Sequence, residues 1–236
     1  MKICFVINDL KTEKPQTTVH LMKKAHERGH EVFVAGVGDF SFAHDAPLAI
    51  NATVIPKNSE AKDAGKYLKL FRGKKAQKKR IDSRDLDVLF LRNNPTEEDS
   101  ARQWAEQSGV AFGRMMQQQE VLVLNDAYSL SNAFIDKLYF EELPSAIKPK
   151  SIITRDKTEI LEFWEKAKNK KMVLKPLEGS GGRDVYLVDK NEQNLNQILD
   201  TILHQGYVIA QEYLPEVKEG DIRVFLLNGQ VLEEDG

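Results

Sequence analysis

The sequence predicts an α/β protein in two domains, a doubly wound parallel-sheet domain over residues 1–125 and an α+β domain with antiparallel strands over 126–236. Three observations carry that reading. The chain opens on the continuous apolar run KICFVI at 2–7, as a strand covered on both faces requires. A helix-period segment and a second β-branched run follow, making a βαβ unit whose right-handed crossover sets the two strands parallel. In the second half, short strands alternate with turn signals and end at Asn228-Gly229, the strongest two-residue hairpin signal.

The elements follow in order. After a polar loop at 8–16, Thr17 or Thr18 can cap a helix through residue 28, with Val19, Leu21, Met22 and Ala25 on one face. Gly29 ends it, and residues 31–37 return as a strand. DVLFL at 87–91 is a third buried strand and VLVL at 121–124 a fourth. Between them Thr96 precedes Glu97, Glu98 and Asp99, a cap followed by acids that suit the positive end of a helix. Residues 57–80 break the pattern, with ten lysines and arginines around the small apolar knot Tyr67, Leu68, Leu70 and Phe71. A solvated connection or lysine-rich helix is preferred there over an anion-attracting flap, because charge runs ordinarily face water.

In the second half, Ser129 or Ser131 can cap a helix through residue 142 with Leu130, Phe134, Leu138 and Tyr139 on its apolar side. Pro144 and Pro149 mark a turn. Strand 151–154, helix 157–168, strand 171–174, a glycine bend, strand 185–188, helix 195–204 and strand 207–211 come next. A strand at 221–227 leads into the hairpin and a last strand to 233.

Composition narrows the classes. A formal net charge of −2 gives no electrostatic case for nucleic acid or a membrane surface as partner. No apolar run approaches the roughly 18 residues of a membrane span, and the first residues read as a strand, not a signal peptide. The single cysteine, Cys4, lies within the first apolar run and is expected to be a buried, inert thiol in a reducing cytoplasm. His20, His26, His30, His44 and His204 show no metal-ligand spacing and read as structural.

The chemistry centres on LKPLEGSGGRDVYLV at 174–188, strand, glycine-rich bend, strand. Gly179, Ser180, Gly181 and Gly182 free the backbone to aim successive N–H groups at one anion, and Lys175 adds a point charge. Taken alone, an ordinary hairpin turn reads the same way. The loop runs strand to strand, so it is neither a Walker loop nor a dinucleotide fingerprint. Downstream, AQEYLP at 210–215 is a strand running into a proline-stopped segment, able to offer main-chain groups to a flat heterocycle. Asp221 and Arg223, two apart on a strand, share a face. A carboxylate there suits ribose hydroxyls, and a guanidinium suits a phosphate or carboxylate.

These segments, with AQEYLPEVKEGDIRVFLLNG at 210–229 and SIITRDKTEILEFW at 151–164, resemble the bacterial type of glutathione synthetase, an ATP-grasp ligase. LDVLFLRNNP at 86–95, VLVLNDAYSL at 121–130, DKLYF at 136–140 and the opening MKICFVINDL are similar more loosely. The resemblance implies a Rossmann-like, pre-ATP-grasp substrate domain over 1–125 and an ATP-grasp domain over 126–236. It implies ATP and Mg2+ as cofactors, and γ-glutamylcysteine and glycine as substrates. Lys137 and Lys175 would contact the ATP phosphates, with the loop Gly179, Ser180, Gly181 and Gly182 closing over them. Gln211, Glu212, Tyr213 and Leu214 would form the adenine hinge, Asp221 would hold the ribose, and Arg223 would stabilise the transferring phosphoryl group. Arg92, at the carboxyl end of a parallel strand, would meet a substrate carboxylate, although a surface salt bridge reads equally well there.

The implied reaction forms an acyl phosphate that the amine of glycine displaces, which is mainly positioning and charge neutralisation. The resemblance also implies further chain, carrying the magnesium ligands, beyond Gly236. The ATP-grasp domain is therefore expected to be incomplete, the metal ligands are unassigned, and these 236 residues are expected to be inactive. An ATP-grasp ligase for another acid and amine, or a nucleotide-binding module without turnover, are the alternatives. Ligases of this family are often homo-oligomers.

Overall fold

The computed structural model describes residues 1–95, 98, 100–132, 136–177 and 182–233. Thr96, Glu97, Asp99, Phe134, Gly179, Ser180 and Gly181, to which the sequence reading gave roles, lie outside the described residues. The chain divides into two compact units, Met1–Asp136 and Lys137–Gly236.

In the first unit the elements run β1 (Lys2–Ile7), α1 (Thr17–Glu27), β2 (Glu31–Gly36), β3 (Phe40–Ala43), β4 (Ala46–Val54), α2 (Ala64–Phe71), β5 (Gln77–Asp82), β6 (Val88–Leu91), α3 (Ser108–Gln118), β7 (Leu122–Leu124) and α4 (Ala127–Asn132). The described strands form one sheet in the order β3-β4-β2-β1-β6-β7, with β5 also paired to β4. Pairings β2-β1, β1-β6 and β6-β7 are parallel, and those made by β4 are antiparallel.

The period of two in β1 divides the core. Ile3, Phe5 and Ile7 face α1 and α2 with Val19, Met22, Tyr67, Leu68 and Phe71, while Cys4 and Val6 face the side of Met116 and Ala127. Both faces are covered, which is why 2–7 reads as a continuous apolar run. Gly113 lets α3 come close, since a Cβ there would lie 2.9 Å from Leu91 Cδ1 and 3.1 Å from the Ala127 Cβ. The Cys4 thiol is fully buried, and that burial, with the charge of Asp39 adding, pushes its pKa well above the ordinary thiol value.

Several expectations for this unit change. Gln16, not Thr17 or Thr18, occupies the cap of α1, and it makes no side-chain cap bond. Thr18 is buried, and its hydroxyl accepts from Arg92 Nε at 3.2 Å. The hairpin β3-β4 lies where no strand was expected. The basic segment is part helix and part strand. Asp63 caps α2 by accepting from the Lys66 N–H at 2.7 Å, and the apolar knot turns inward. Lys78, Lys79 and Arg80 ride on the edge strand β5, where charge blunts further pairing.

The second unit contains β8 (Ser151–Thr154), α5 (Lys157–Lys166), β9 (Met172–Pro176), β10 (Tyr186–Val188), α6 (Leu195–Gln205), β11 (Val208–Glu212), β12 (Leu226–Leu227) and β13 (Gln230–Val231). Four strands pair antiparallel in the order β10-β9-β11-β8. Met172, Leu174, Val208 and Ala210 are buried in a core with Ile160, Leu199 and Ile202 from α5 and α6. Asp156 caps α5 through the Thr158 N–H at 2.7 Å.

The helix expected through residue 142 does not form as one element. α4 starts earlier, with the Asp126 carboxylate accepting from the Ser129 N–H at 2.7 Å, and residues Asp136–Glu142 form 3-10 turns. Leu138 and Tyr139 are exposed on those turns, so no apolar stripe drives a longer helix. The strands about Asn228-Gly229 are shorter than expected, although both turn residues have the positive φ (50° and 76°) that a tight hairpin needs. Among the described residues no helix is long and apolar enough to cross a membrane.

Candidate functional site

The face of the second sheet opposite its core carries the candidate site. Antiparallel pairing sets Lys175 opposite Ile209 and Val173 opposite Gln211, while Ile209 and Gln211 sit opposite Ile153 and Ser151. The period of two that buries Leu174 and Ala210 therefore aims Lys175, Ile209, Gln211 and Ser151 to the other side. They line a pocket of about 420 Å3 together with Lys137, Glu141 and Lys148, and with the apolar Phe140, Leu143, Ile147 and Leu214.

Its polar groups interlock. Lys175 Nζ donates to Gln211 Oε1 at 2.6 Å, and Lys137 Nζ donates to the Pro176 C=O at 2.8 Å. Lys148 Nζ donates to the carboxylate and to the C=O of Glu141, both at 2.7 Å, and Ser151 Oγ donates to the same carboxylate at 3.1 Å. Burial first, and then the positive charge of Lys137, lower the pKa of the Lys175 ammonium, with Glu141 opposing them. The hydrogen bond from Lys148 holds the Glu141 carboxyl below its ordinary value, against partial desolvation. Two neighbouring ammonium groups repel unless an anion lies between them. Cations beside an apolar wall suit a polyanion that carries a flat apolar part, and the volume lies in the ~300–1,000 Å3 range of ligand pockets. A nucleoside triphosphate has that chemistry, so the residues present fit it.

Of the residues named from the sequence, Lys137, Lys175, Gln211 and Leu214 meet at this pocket. Glu212 is held elsewhere, its carboxylate accepting from the Lys150 N–H at 2.7 Å and its own N–H donating to the Lys150 C=O at 2.9 Å. Tyr213 packs under the Lys171 ammonium, 5.3 Å from the ring centre. Gly182 is exposed in a turn with φ of 75°. Asp221 and Arg223 lie in an exposed segment without regular secondary structure, not on the expected strand, and do not line the pocket. Arg92 belongs to the first unit, where its N–H donates to the Val6 C=O at 2.8 Å and its guanidinium lies 5.7 Å from the Phe90 ring centre. Glu141 and Lys148 had no sequence signal, because six residues of 3-10 turn and loop lie between the acid and the base that completes it. Among the described residues there is no group of three or more His, Cys, Asp and Glu side chains able to hold a metal ion.

Comparison with known proteins agrees with both halves. The N-terminal-domain model of prokaryotic glutathione synthetase matches residues 1–130, and the ATP-grasp-domain model of the same enzyme matches residues 136–234. The glutathione synthetase of Gloeobacter violaceus is 31% identical over 245 residues, which cover 98% of this chain and 68% of that protein. The Escherichia coli K12 glutathione synthetase is 28% identical over 222 residues, covering 92% of this chain and 64% of that protein. The chain thus spans about two thirds of the length of these relatives.

Two solved structures share the fold. D-cycloserine synthetase DcsG has a TM-score of 0.55 at 16% identity, covering 91% of this chain and 60% of that one. Macrocyclase MdnC from Microcystis aeruginosa has a TM-score of 0.54 at 12% identity, covering 91% and 66%. Two domain models end to end, on a mixed sheet with a parallel centre followed by an antiparallel lysine-bearing one, place the chain in the prokaryotic glutathione synthetase family.

Proposed function

We propose that this protein is an ATP-dependent carboxylate–amine ligase that joins γ-glutamylcysteine and glycine, releasing ADP and phosphate. The observation that carries the reading is the lysine pair on the outer face of the second sheet. Lys175 is half-buried and destabilised as a cation by its neighbour Lys137, and a triphosphate relieves both costs at once. Lys137 and Lys175 hold the phosphates, with Gly179, Ser180, Gly181 and Gly182 as the loop that covers them. Gln211 and Leu214 meet the adenine, while Ile209 and Phe140 supply apolar surface. Glu212 and Tyr213 complete the hinge through main-chain groups, Asp221 takes the ribose, and Arg223 meets the transferring phosphoryl group. Arg92 serves the acid substrate on a domain comprising residues 1–125, with residues 126–236 as the nucleotide domain. Mg2+ supplies charge neutralisation at the phosphates when bound. The cytoplasm is the proposed compartment, supported by a lone buried thiol.

Calorimetric titration of the 236-residue chain with ATP and Mg2+ tests the nucleotide assignment. Saturable binding, weakened about tenfold or more in Lys175→Met and Lys137→Met, is expected from loss of a charge-assisted contact. Equal binding by wild type and both variants would sink it. The acid and amine are tested, with the full gene product, by ADP release with γ-glutamylcysteine and glycine against other acid–amine pairs. Preference for a different pair would retain the ligase class and discard this substrate.

A further inference from the structure

The pocket of the second unit is lined by three ammonium groups, Lys137, Lys148 and Lys175, and one carboxylate, Glu141. Their acceptors sort the lysines. Lys175 donates to the neutral amide of Gln211 at 2.6 Å and keeps its charge for a ligand. Lys148 donates at 2.7 Å to the Glu141 carboxylate, so its charge is already matched, and at 2.7 Å to the C=O of the same residue. A lysine that grips the side chain and the main chain of one residue works as a clamp. Ser151 Oγ donates to the other carboxylate oxygen at 3.1 Å, which fastens the clamp to β8. Antiparallel pairing sets Ser151 opposite Gln211, so one register fixes both the clamp and the partner of Lys175. The clamp spans residues 141–148, a segment that burial does little to hold. Its backbone is 3-10 turn and loop, with local bonds from the Leu143 N–H to the Phe140 C=O and from the Ile147 N–H to the Pro144 C=O. Phe140, Leu143 and Ile147, the apolar wall of the pocket, are 55%, 38% and 70% exposed.

We propose that Glu141, Lys148 and Ser151 are positioning residues that set this apolar wall for the flat base of the nucleotide and take no direct part in holding its phosphates. The proposal rests on the nucleotide reading of the pocket and deepens it. A wall that must order on binding takes that cost out of the affinity, and a wall already clamped does not. The charges separate the roles. To reach a phosphate, Lys148 would have to leave Glu141, and the carboxylate would then stand unpaired beside an incoming polyanion. Lys175 leaves only a neutral amide.

The 236-residue chain is titrated in calorimetry with ATP and, separately, with inorganic tripolyphosphate, Mg2+ being present in both. Lys148→Met and Glu141→Ala should each weaken ATP about three- to tenfold, as the ordering of a few side chains implies. Tripolyphosphate has no base, and Lys148→Met should bind it as the wild type does. Glu141→Ala removes a negative charge, so it should leave tripolyphosphate unchanged or tighter, opposite in sign to its effect on ATP. Lys148→Arg can rebuild both contacts and should restore ATP affinity. Amide exchange protection of β9 and β11 should persist in each variant, which shows that the fold stands. Wild-type ATP affinity in Lys148→Met and Glu141→Ala would overturn the proposal. Tripolyphosphate weakened as much as ATP by Lys148→Met would overturn it too, making Lys148 a phosphate ligand. Failure of the nucleotide reading looks different, because the wild-type chain then binds neither ATP nor tripolyphosphate and the proposal falls with it.

Discussion

Lys175 Nζ lies 2.6 Å from Gln211 Oε1, joining two residues 36 positions apart across the β9–β11 pairing. The neutral amide orients the ammonium without neutralising it. That is the arrangement a phosphate-binding lysine needs, because a carboxylate in the same place would compete with the ligand.

Replacing Gln211 by Leu leaves the half-buried ammonium without that acceptor. ATP affinity should fall roughly three- to tenfold, the range of one lost hydrogen bond to a charged group. Gln211→Glu should lower affinity further, since the carboxylate both pairs with Lys175 and repels phosphate. Calorimetry on the two variants checks the order, and tighter binding by the Glu variant would contradict it.

The Lys175 ammonium should titrate below the ordinary lysine value of about 10.4. The sign follows from linkage. A lysine whose folded pKa is depressed penalises the folded state at all pH values below that pKa. The penalty is relieved as pH rises from the folded value toward the unfolded one. ATP affinity should move the other way, declining as the ammonium loses its proton. Lys137→Met removes a like charge and should raise the Lys175 pKa, read from its 13Cε shift in a pH titration. An unchanged or lower value would show that burial alone sets it.

Leu174 and Lys175 are sequence neighbours on opposite faces of one strand. Leu174 is fully buried against α5 and α6, so Leu174→Ala should cost about 2–5 kcal/mol of stability. Denaturant unfolding measures that cost. ATP affinity of the folded fraction should hardly change, because the other face is untouched.

Gly113→Val tests the close approach of α3. The new side chain would start 2.9 Å from Leu91 Cδ1 and 3.1 Å from the Ala127 Cβ. Valine has only a slightly better helix propensity than glycine, a few tenths of a kcal/mol, whereas overpacking costs about 1–3 kcal/mol. A lower Tm is expected, and a raised one would mean that the helix shifts freely.

The sequence was most legible where one local rule had no competitor. KICFVI read as a two-face-covered strand because the five residues after Lys2 are all apolar, and Asn228-Gly229 read as a turn because both residues tolerate positive φ. The β3-β4 hairpin was missed although Phe40 and Leu48–Ile50 carry apolar residues around the turn signal His44-Asp45, because Pro47 and several alanines dilute the alternation. In the basic segment the lysine-rich helix forms as α2, and counting charge concealed only its buried face, since Tyr67, Leu68 and Phe71 face inward while the lysines between them reach water.

At the candidate site, Lys175 and Gln211 were visible as residue types on predicted strands, and Lys137 through likeness to a family. Glu212 was not separable from Gln211 in sequence, since only pairing register shows that its carboxylate serves the Lys150 N–H.

Local sequence determined which segments become strands and helices, where the chain turns, and the family it belongs to, because those follow from periodicity and short motifs. Tertiary structure alone decided that Glu141 and Lys148 pair beside the two lysines, and that Ser151 holds the same carboxylate. These groupings depend on strand register and on loop paths between residues distant in the chain, quantities set by how whole elements pack.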